Sequence, residues 1–154
     1  MVLRQNLEKV MVELPTKPED LICFALYSAN HVMNRAYQPH LSKLGLTYPQ
    51  YITLAALWDK DGQSVGDLCT QLMMETNTLT PILKRMEKNG LVLRKRGIAD
   101  ERKVFIHLTD QGWQLQKQSP KITARIIEET GLPHDDLVAL VKHISTLRDK
   151  MATE

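Results

Sequence analysis

The sequence predicts a mainly α-helical chain with one small β-hairpin, and three features carry the prediction. Apolar residues recur at helical spacing from Leu21 to Ala36 and again from Leu137 to Met151. One stretch, Leu91 to Leu108, shifts to a period of two, with Val104, Ile106 and Leu108 on a common face. Turn signals at Gly45, Asp61-Gly62, Asn89-Gly90 and Gly131 separate the periodic segments.

Composition bounds the answer. A chain of 154 residues can bury one real core. Twenty basic and 18 acidic residues leave a formal charge of only +2, which excludes a histone-like polycation and an acidic disordered tail. The longest apolar run, Leu21 to Leu26, falls far short of the ~20 residues of a membrane span. Glu8 and Glu13 stand where a secretory signal would be apolar. The expectation is a soluble, cytoplasmic chain with no membrane partner. Cys23 and Cys69 form no CxxC pair, and a reducing compartment keeps both as free thiols.

Along the chain, the first fifteen residues suggest a short arm with some helical character. Pro18 with Glu19 and Asp20 opens the first helix, whose broad apolar face and sparse charge predict burial on more than one side. Tyr48-Pro49 opens a second helix through Trp58. Ser64-Val65-Gly66-Asp67 has the form of a capping box and starts a short third helix with Leu68, Cys69 and Leu72 inward. A fourth helix begins at Thr76 to Thr78 and stops at Asn89-Gly90, with Pro81 placed near its first turn. The hairpin follows, its tip the polar segment Lys95 to Arg102. Thr109 caps a helix to about Glu129 that Pro120 kinks, and Pro133 starts the last helix, with a stripe of Leu137, Leu140, Val141, Ile144, Leu147 and Met151.

Three helices and then a hairpin is the order of a winged helix-turn-helix. On the fourth helix, Leu79, Ile82, Leu83 and Met86 share the core face, while Asn77, Thr78, Thr80, Pro81, Lys84, Arg85 and Lys88 form a polar and basic surface. A helix entering a major groove needs that division, with small polar groups for base edges and cations for phosphates. From Lys84 to Lys103, eight basic residues face three acids, a local +5 that leaves −3 for the rest of the chain. Charge alone leaves a solvated surface equally open; the element order together with the charge favours double-stranded DNA. Lys84, Arg85 and Lys88 are thus candidates at phosphates, and Arg94, Lys95, Arg96 and Arg102 on the wing. Arg102 is the choice for the minor groove, with Asp100 orienting it.

Residues 20–110 resemble the MarR family of winged-helix repressors. The resemblance lies in Thr78-Leu79-Thr80-Pro81-Ile82-Leu83-Lys84-Arg85-Met86-Glu87 followed by Asn89-Gly90-Leu91-Val92, and in Asp100-Glu101-Arg102 leading to Ile106-His107-Leu108-Thr109. A narrower likeness, to the OhrR-like subgroup that senses organic hydroperoxides, rests on Leu21-Ile22-Cys23-Phe24-Ala25-Leu26-Tyr27, Ala36-Tyr37 and Leu44-Gly45-Leu46-Thr47-Tyr48-Pro49-Gln50-Tyr51. The resemblance implies a homodimer on a pseudo-palindromic operator. Residues 1–45 and 110–154 would form the helical dimerisation region and 46–109 the DNA-binding lobe.

It also implies a redox site. A thiolate, not a thiol, attacks a peroxide, and in OhrR-like proteins two tyrosines stabilise it; the matching positions are Tyr37 and Tyr48, reaching Cys23 across the dimer interface. Tyr27, one turn after Cys23, is a third pocket residue. The late resolving cysteine of two-cysteine members is missing, with Arg125-Ile126-Ile127-Glu128 in that neighbourhood. The resemblance therefore implies a one-cysteine type that ends as a mixed disulfide with a small thiol or as an overoxidised acid. Cys69, among Leu68, Leu72 and Met73, reads as an apolar filler.

Other readings compete. In one, a MarR-type repressor responds to a small aromatic ligand and Cys23 is core. In another, the chain is a thiol peroxidase, although no Lys or Arg lies close in sequence to Cys23 and the basic helix goes unused. The five histidines never pair at i, i+3 or i+4, which argues against a metal sensor. With no phosphate loop and no Ser-His-Asp arrangement, no cofactor, metal or enzymatic activity is expected.

Overall fold

A computed structural model describes residues 17–98 and 100–152, so the expected N-terminal arm lies outside the described residues. By contact the chain divides into two units after Ala36.

In the first unit, a 3-10 turn at Pro18–Asp20 leads into helix α1, Ile22–Ser42, which runs on into the second. Ile22, Phe24, Tyr27, Val32 and Met33 are exposed, and Leu41 is the one buried residue of α1. Burial on more than one side is therefore not met among the described residues. A helical apolar stripe shows that a face seeks cover, not which molecule supplies it.

The second unit holds the winged helix-turn-helix. Helix α2, Tyr48–Asp59, starts where the Thr47 amide donates to Gln50 Oε1 at 2.9 Å. Strand β1, Gln63–Ser64, is too short to show a period in the sequence and went unpredicted. Helix α3, Val65–Leu72, opens on the expected capping box: the Asp67 amide donates to Ser64 Oγ at 3.1 Å, and the Ser64 amide to Asp67 Oδ2 at 3.2 Å. The Ser64 hydroxyl, donating to Asp67 Oδ2 at 2.7 Å, and then the Ser64 amide hold the Asp67 carboxyl below its usual range. Met73 follows in the left-handed region (φ 52°), turning the chain toward helix α4, Thr76–Lys88.

Pro81 is the sixth residue of α4, inside the helix and just beyond the first turn near which the sequence places it. The helix continues past it, without an amide there to meet the Asn77 carbonyl. Leu79, Leu83 and Met86 are buried as predicted, while Ile82 is only half-buried. Strands β2, Val92–Arg96, and β3, Val104–Leu108, pair antiparallel with Val92 opposite Leu108, and β1 adds to the other side of β3, giving the order β1-β3-β2. Leu54, Leu57, Leu68, Leu83, Met86, Val92 and Ile106 are fully buried and form the core under the sheet and helices.

The expected kinked helix after Thr109 is two helices. Helix α5, Asp110–Gln116, ends at a turn, and α6, Ser119–Thr130, restarts with Pro120 in its first turn. Proline lacks an amide and its ring crowds the carbonyl four residues earlier, so it breaks a helix interior yet suits a start. Helix α7, His134–Met151, follows Gly131 (φ +64°). No residue of α7 is buried, and Val138, Leu140, Val141, Ile144 and Met151 are exposed. Among the described residues no helix is long and apolar enough to cross a membrane.

Candidate nucleic-acid interface and thiol site

Helix α4 presents Asn77, Thr78, Pro81, Lys84, Arg85 and Lys88 to solvent, with Thr80 half-buried. The Thr78 hydroxyl donates to Asn77 Oδ1 at 3.3 Å, so these two polar groups in the first turn are linked. Lys95, Arg96 and Arg102 are exposed on the wing. The Arg102 amide and Nε both donate to Asp100 Oδ1, at 3.0 and 3.3 Å. The Arg102 side chain itself is 93% exposed, with its guanidinium held to Asp100 through Nε.

Arg94 is placed differently from the other wing cations. Its backbone amide donates to Glu87 Oε1 at 3.1 Å, and its Nη1 lies 3.7 Å from Glu87 Oε2. It thereby ties β2 to α4 and fixes the wing against the helix, so part of its charge is already answered. A cavity of about 370 Å³ opens beside it, lined by Ser64 and Gly66 of the α3 start, Thr76 and Thr80 of α4, and Arg102 and Lys103 of the wing. Thr76 and Lys103 were not singled out from the sequence. Lys103 was visible only as one charge of the basic run, and its convergence with α3 needs the fold.

Cys23 is a free, exposed thiol in α1. Tyr27, one turn on, is exposed, and its ring lies 6.5 Å from Phe24 and 6.4 Å from His31. In the second unit, the Tyr37 and Tyr48 rings are 5.0 Å apart, Tyr37 and Tyr51 5.9 Å, and Tyr51 and Trp58 6.0 Å. The far end of this aromatic row is anchored: Tyr51 Oη and Ser119 Oγ are 2.8 Å apart, and Trp58 Nε1 donates to the Gly112 carbonyl at 3.0 Å. Burial, then the neighbouring Tyr48 and Tyr51, pushes the Tyr37 phenol up to about 12, and burial raises Tyr48 as well. Both phenols stay protonated at neutral pH and remain hydrogen-bond donors.

That shift has a consequence for stability. The folded chain keeps the Tyr37 proton where the unfolded chain, near 10, has lost it, so stability falls as pH rises from 10 toward 12. The urea midpoint is expected to drop across that window, and to drop less in Tyr37→Phe.

Cys69 is half-buried, its Sγ 3.7 Å from Thr76 Oγ1 at the start of α4. No cluster of three or more His, Cys, Asp or Glu among the described residues could hold a metal ion.

The chain matches the family model of the SarA/Rot transcriptional regulators over residues 35–119. It is 39% identical over 135 residues to the organic hydroperoxide resistance transcriptional regulator of Bacillus subtilis, covering 88% of this chain and 92% of that one. Among solved structures, it resembles reduced AbfR bound to DNA at a TM-score of 0.69 and 30% identity, covering 85% of this chain and 93% of that one. It also shares the fold of AbsC, a MarR family regulator from Streptomyces coelicolor, at a TM-score of 0.77 and 24% identity, over 93% of this chain and all of that one. A basic recognition helix, a wing pinned to it and these relatives converge: the chain belongs to the DNA-binding winged-helix transcriptional regulators of the MarR/SarA type.

Proposed function

We propose that this regulator is a homodimeric repressor that senses organic hydroperoxides at Cys23 and then releases a pseudo-palindromic operator. The observation that carries the reading is an exposed, unbridged Cys23 on the apolar helix α1, in a chain 39% identical to a hydroperoxide resistance regulator. Helices α1 and α7 form the dimer in this reading, since their exposed apolar side chains need cover. Residues 1–45 and 110–154 then serve dimerisation, and 46–109 bind DNA.

The chemistry is a two-electron oxidation. The Cys23 thiolate attacks the terminal peroxide oxygen and the O–O bond breaks. Sulfur is oxidised to the sulfenic acid, and the departing alkoxide takes up a proton to become an alcohol. A small thiol then displaces water from the sulfenic acid and leaves a mixed disulfide. Tyr37 and Tyr48 act as the phenol donors that stabilise the thiolate across the subunit boundary, and Tyr27 completes the pocket. Oxidation removes their acceptor, and the loosened helices shift the two recognition helices out of register.

Asn77, Thr78, Thr80 and Pro81 read the major groove, Lys84, Arg85, Lys88, Lys95 and Arg96 meet phosphates, and Arg102 enters the minor groove. Arg94 and Asp100 hold the wing and Arg102 in place. Arg102→Ala is expected to weaken operator binding and to lower the slope of log affinity against log salt by about one. Unchanged affinity at matched salt would count against the wing assignment.

The direct test is fluorescence anisotropy on an operator duplex titrated with cumene hydroperoxide and cysteine, with mass spectrometry on the same samples. Release that tracks modification of Cys23 is the expected result. Release with Cys23 unmodified, or DNA retained with Cys23 oxidised, overturns the sensing mechanism.

A further inference from the structure

The wing tip carries a residue that neither the charge pattern nor the recognition helix explains. Ile98 is wholly exposed, at 103% of its reference surface, on the connection between β2 and β3. The tip is not a slack loop at its base. The Gly97 amide donates to the Lys103 carbonyl at 2.8 Å, and the Lys103 amide to the Asp100 carbonyl at 3.0 Å. A Cβ on Gly97 would lie 2.7 Å from the Asp100 carbonyl oxygen and 3.1 Å from the Phe105 ring, so the backbone closes on itself there. This packing occupies the inside of the turn and leaves Ile98 outside it.

The surroundings are cationic. Lys95 and Arg96 precede Ile98 and Arg102 and Lys103 follow it, against Asp100 and Glu101; Asp100 is already engaged by Arg102. An apolar side chain surrounded by cations suits a surface with charged rims and an apolar interior. The minor groove of duplex DNA is such a surface: phosphates line its edges, and sugar faces and base edges line its floor. Apolar side chains are known to insert there and part base steps. The tip is also continuous with the DNA interface already described, through Arg102.

We infer that Ile98 is an apolar wedge that enters the minor groove beside Arg102 and bends the operator, adding affinity that does not depend on salt. This rests on the DNA-binding reading of the wing. It separates two roles within the wing: Arg102 supplies charge, and Ile98 supplies contact and deformation.

The test uses the intact protein on an operator duplex carrying donor and acceptor dyes at its two ends. Ile98→Ala is expected to bind about tenfold more weakly, with the salt slope of the parent and a smaller change in energy transfer on binding. Ile98→Lys keeps the tip in place but removes the apolar contact; it is expected to bind more weakly than the parent at high salt, where added charge contributes little. If both variants bind and bend DNA as the parent does while Arg102→Ala binds weakly, the wedge is wrong and the wing assignment stands. If Arg102→Ala also binds as the parent does, the wing assignment fails and takes the wedge with it. Equal melting temperatures for parent and variants would exclude a folding defect, as expected for a wholly exposed side chain.

Discussion

A Cys23→Ser protein is expected to hold its operator with the parent's affinity and to remain bound when cumene hydroperoxide and cysteine are added. The effect should be all or none. Serine keeps the size of the side chain, and the exposed position makes no core contact to lose. It cannot form the thiolate, however, so no sulfenic acid and no mixed disulfide follow. Cys69→Ser should respond as the parent does. Its thiol is half-buried, with the Thr76 hydroxyl 3.7 Å from Sγ. Anisotropy traces of the two variants side by side decide the matter. A hydroperoxide response that survives in Cys23→Ser would remove the sensor assignment, and loss of response in Cys69→Ser would move it to the helix-turn-helix itself.

The second large effect concerns stability. Gly112→Ala in a helix would ordinarily stabilise a protein by roughly 1 kcal/mol, because alanine is the better helix former. Here the sign is expected to reverse. Gly112 is buried, and a Cβ there would overlap the Leu91 carbonyl oxygen and lie 3.0 Å from Leu108 Cδ2. That carbonyl has little room to retreat, since it accepts the Thr109 amide at 3.1 Å. The Thr109 hydroxyl is fixed in turn, donating to the Gly90 carbonyl at 2.6 Å and accepting from the Gly112 amide at 3.1 Å. Overpacking of this kind costs about 1–3 kcal/mol. Displacing the Gly112 carbonyl from Trp58 Nε1 adds about 1 kcal/mol. For a chain of this size, the melting temperature of Gly112→Ala should fall by roughly 5–10 °C. A variant that melts above the parent would show that α5 does not press on Leu91. The far end of the aromatic row would move with it, so a change in Trp58 fluorescence should accompany the loss.

Much of this architecture was legible in the sequence because local rules and tertiary demand agree. The Ser64 capping box, the Asn89-Gly90 stop and the Thr109 cap are satisfied within a few residues of chain, so sequence order suffices to read them. Leu79, Leu83 and Met86 fall inward because helical period and core direction coincide. Where the reading missed, a nonlocal term decided. Strand β1 exists because β3 offers it an edge, with Gln63 opposite Ile106, not because Gln63-Ser64 favours a strand. Pro120 marked the right neighbourhood, but the chain starts a new helix there instead of bending one.

The candidate site divides in the same way. Charge and residue type were enough to find the basic face of α4 and the wing, since a phosphate-facing surface must show its cations to solvent. Sequence did not distinguish Arg94, tied to Glu87, from its exposed neighbours Lys95 and Arg96, because alternation in a strand says which face a side chain takes and not what waits there. Nor did it bring Thr76 and Lys103 to one cavity with the start of α3. The longer helices, the hairpin, the caps, the core face of α4 and the basic charge of the exposed α4 and wing surfaces are thus readable from spacings of a few residues. The close approach at Gly112, the tie of the wing to α4 and the outward placement of Ile98 emerge only in three dimensions, because each depends on residues distant in sequence or on a turn's closing geometry.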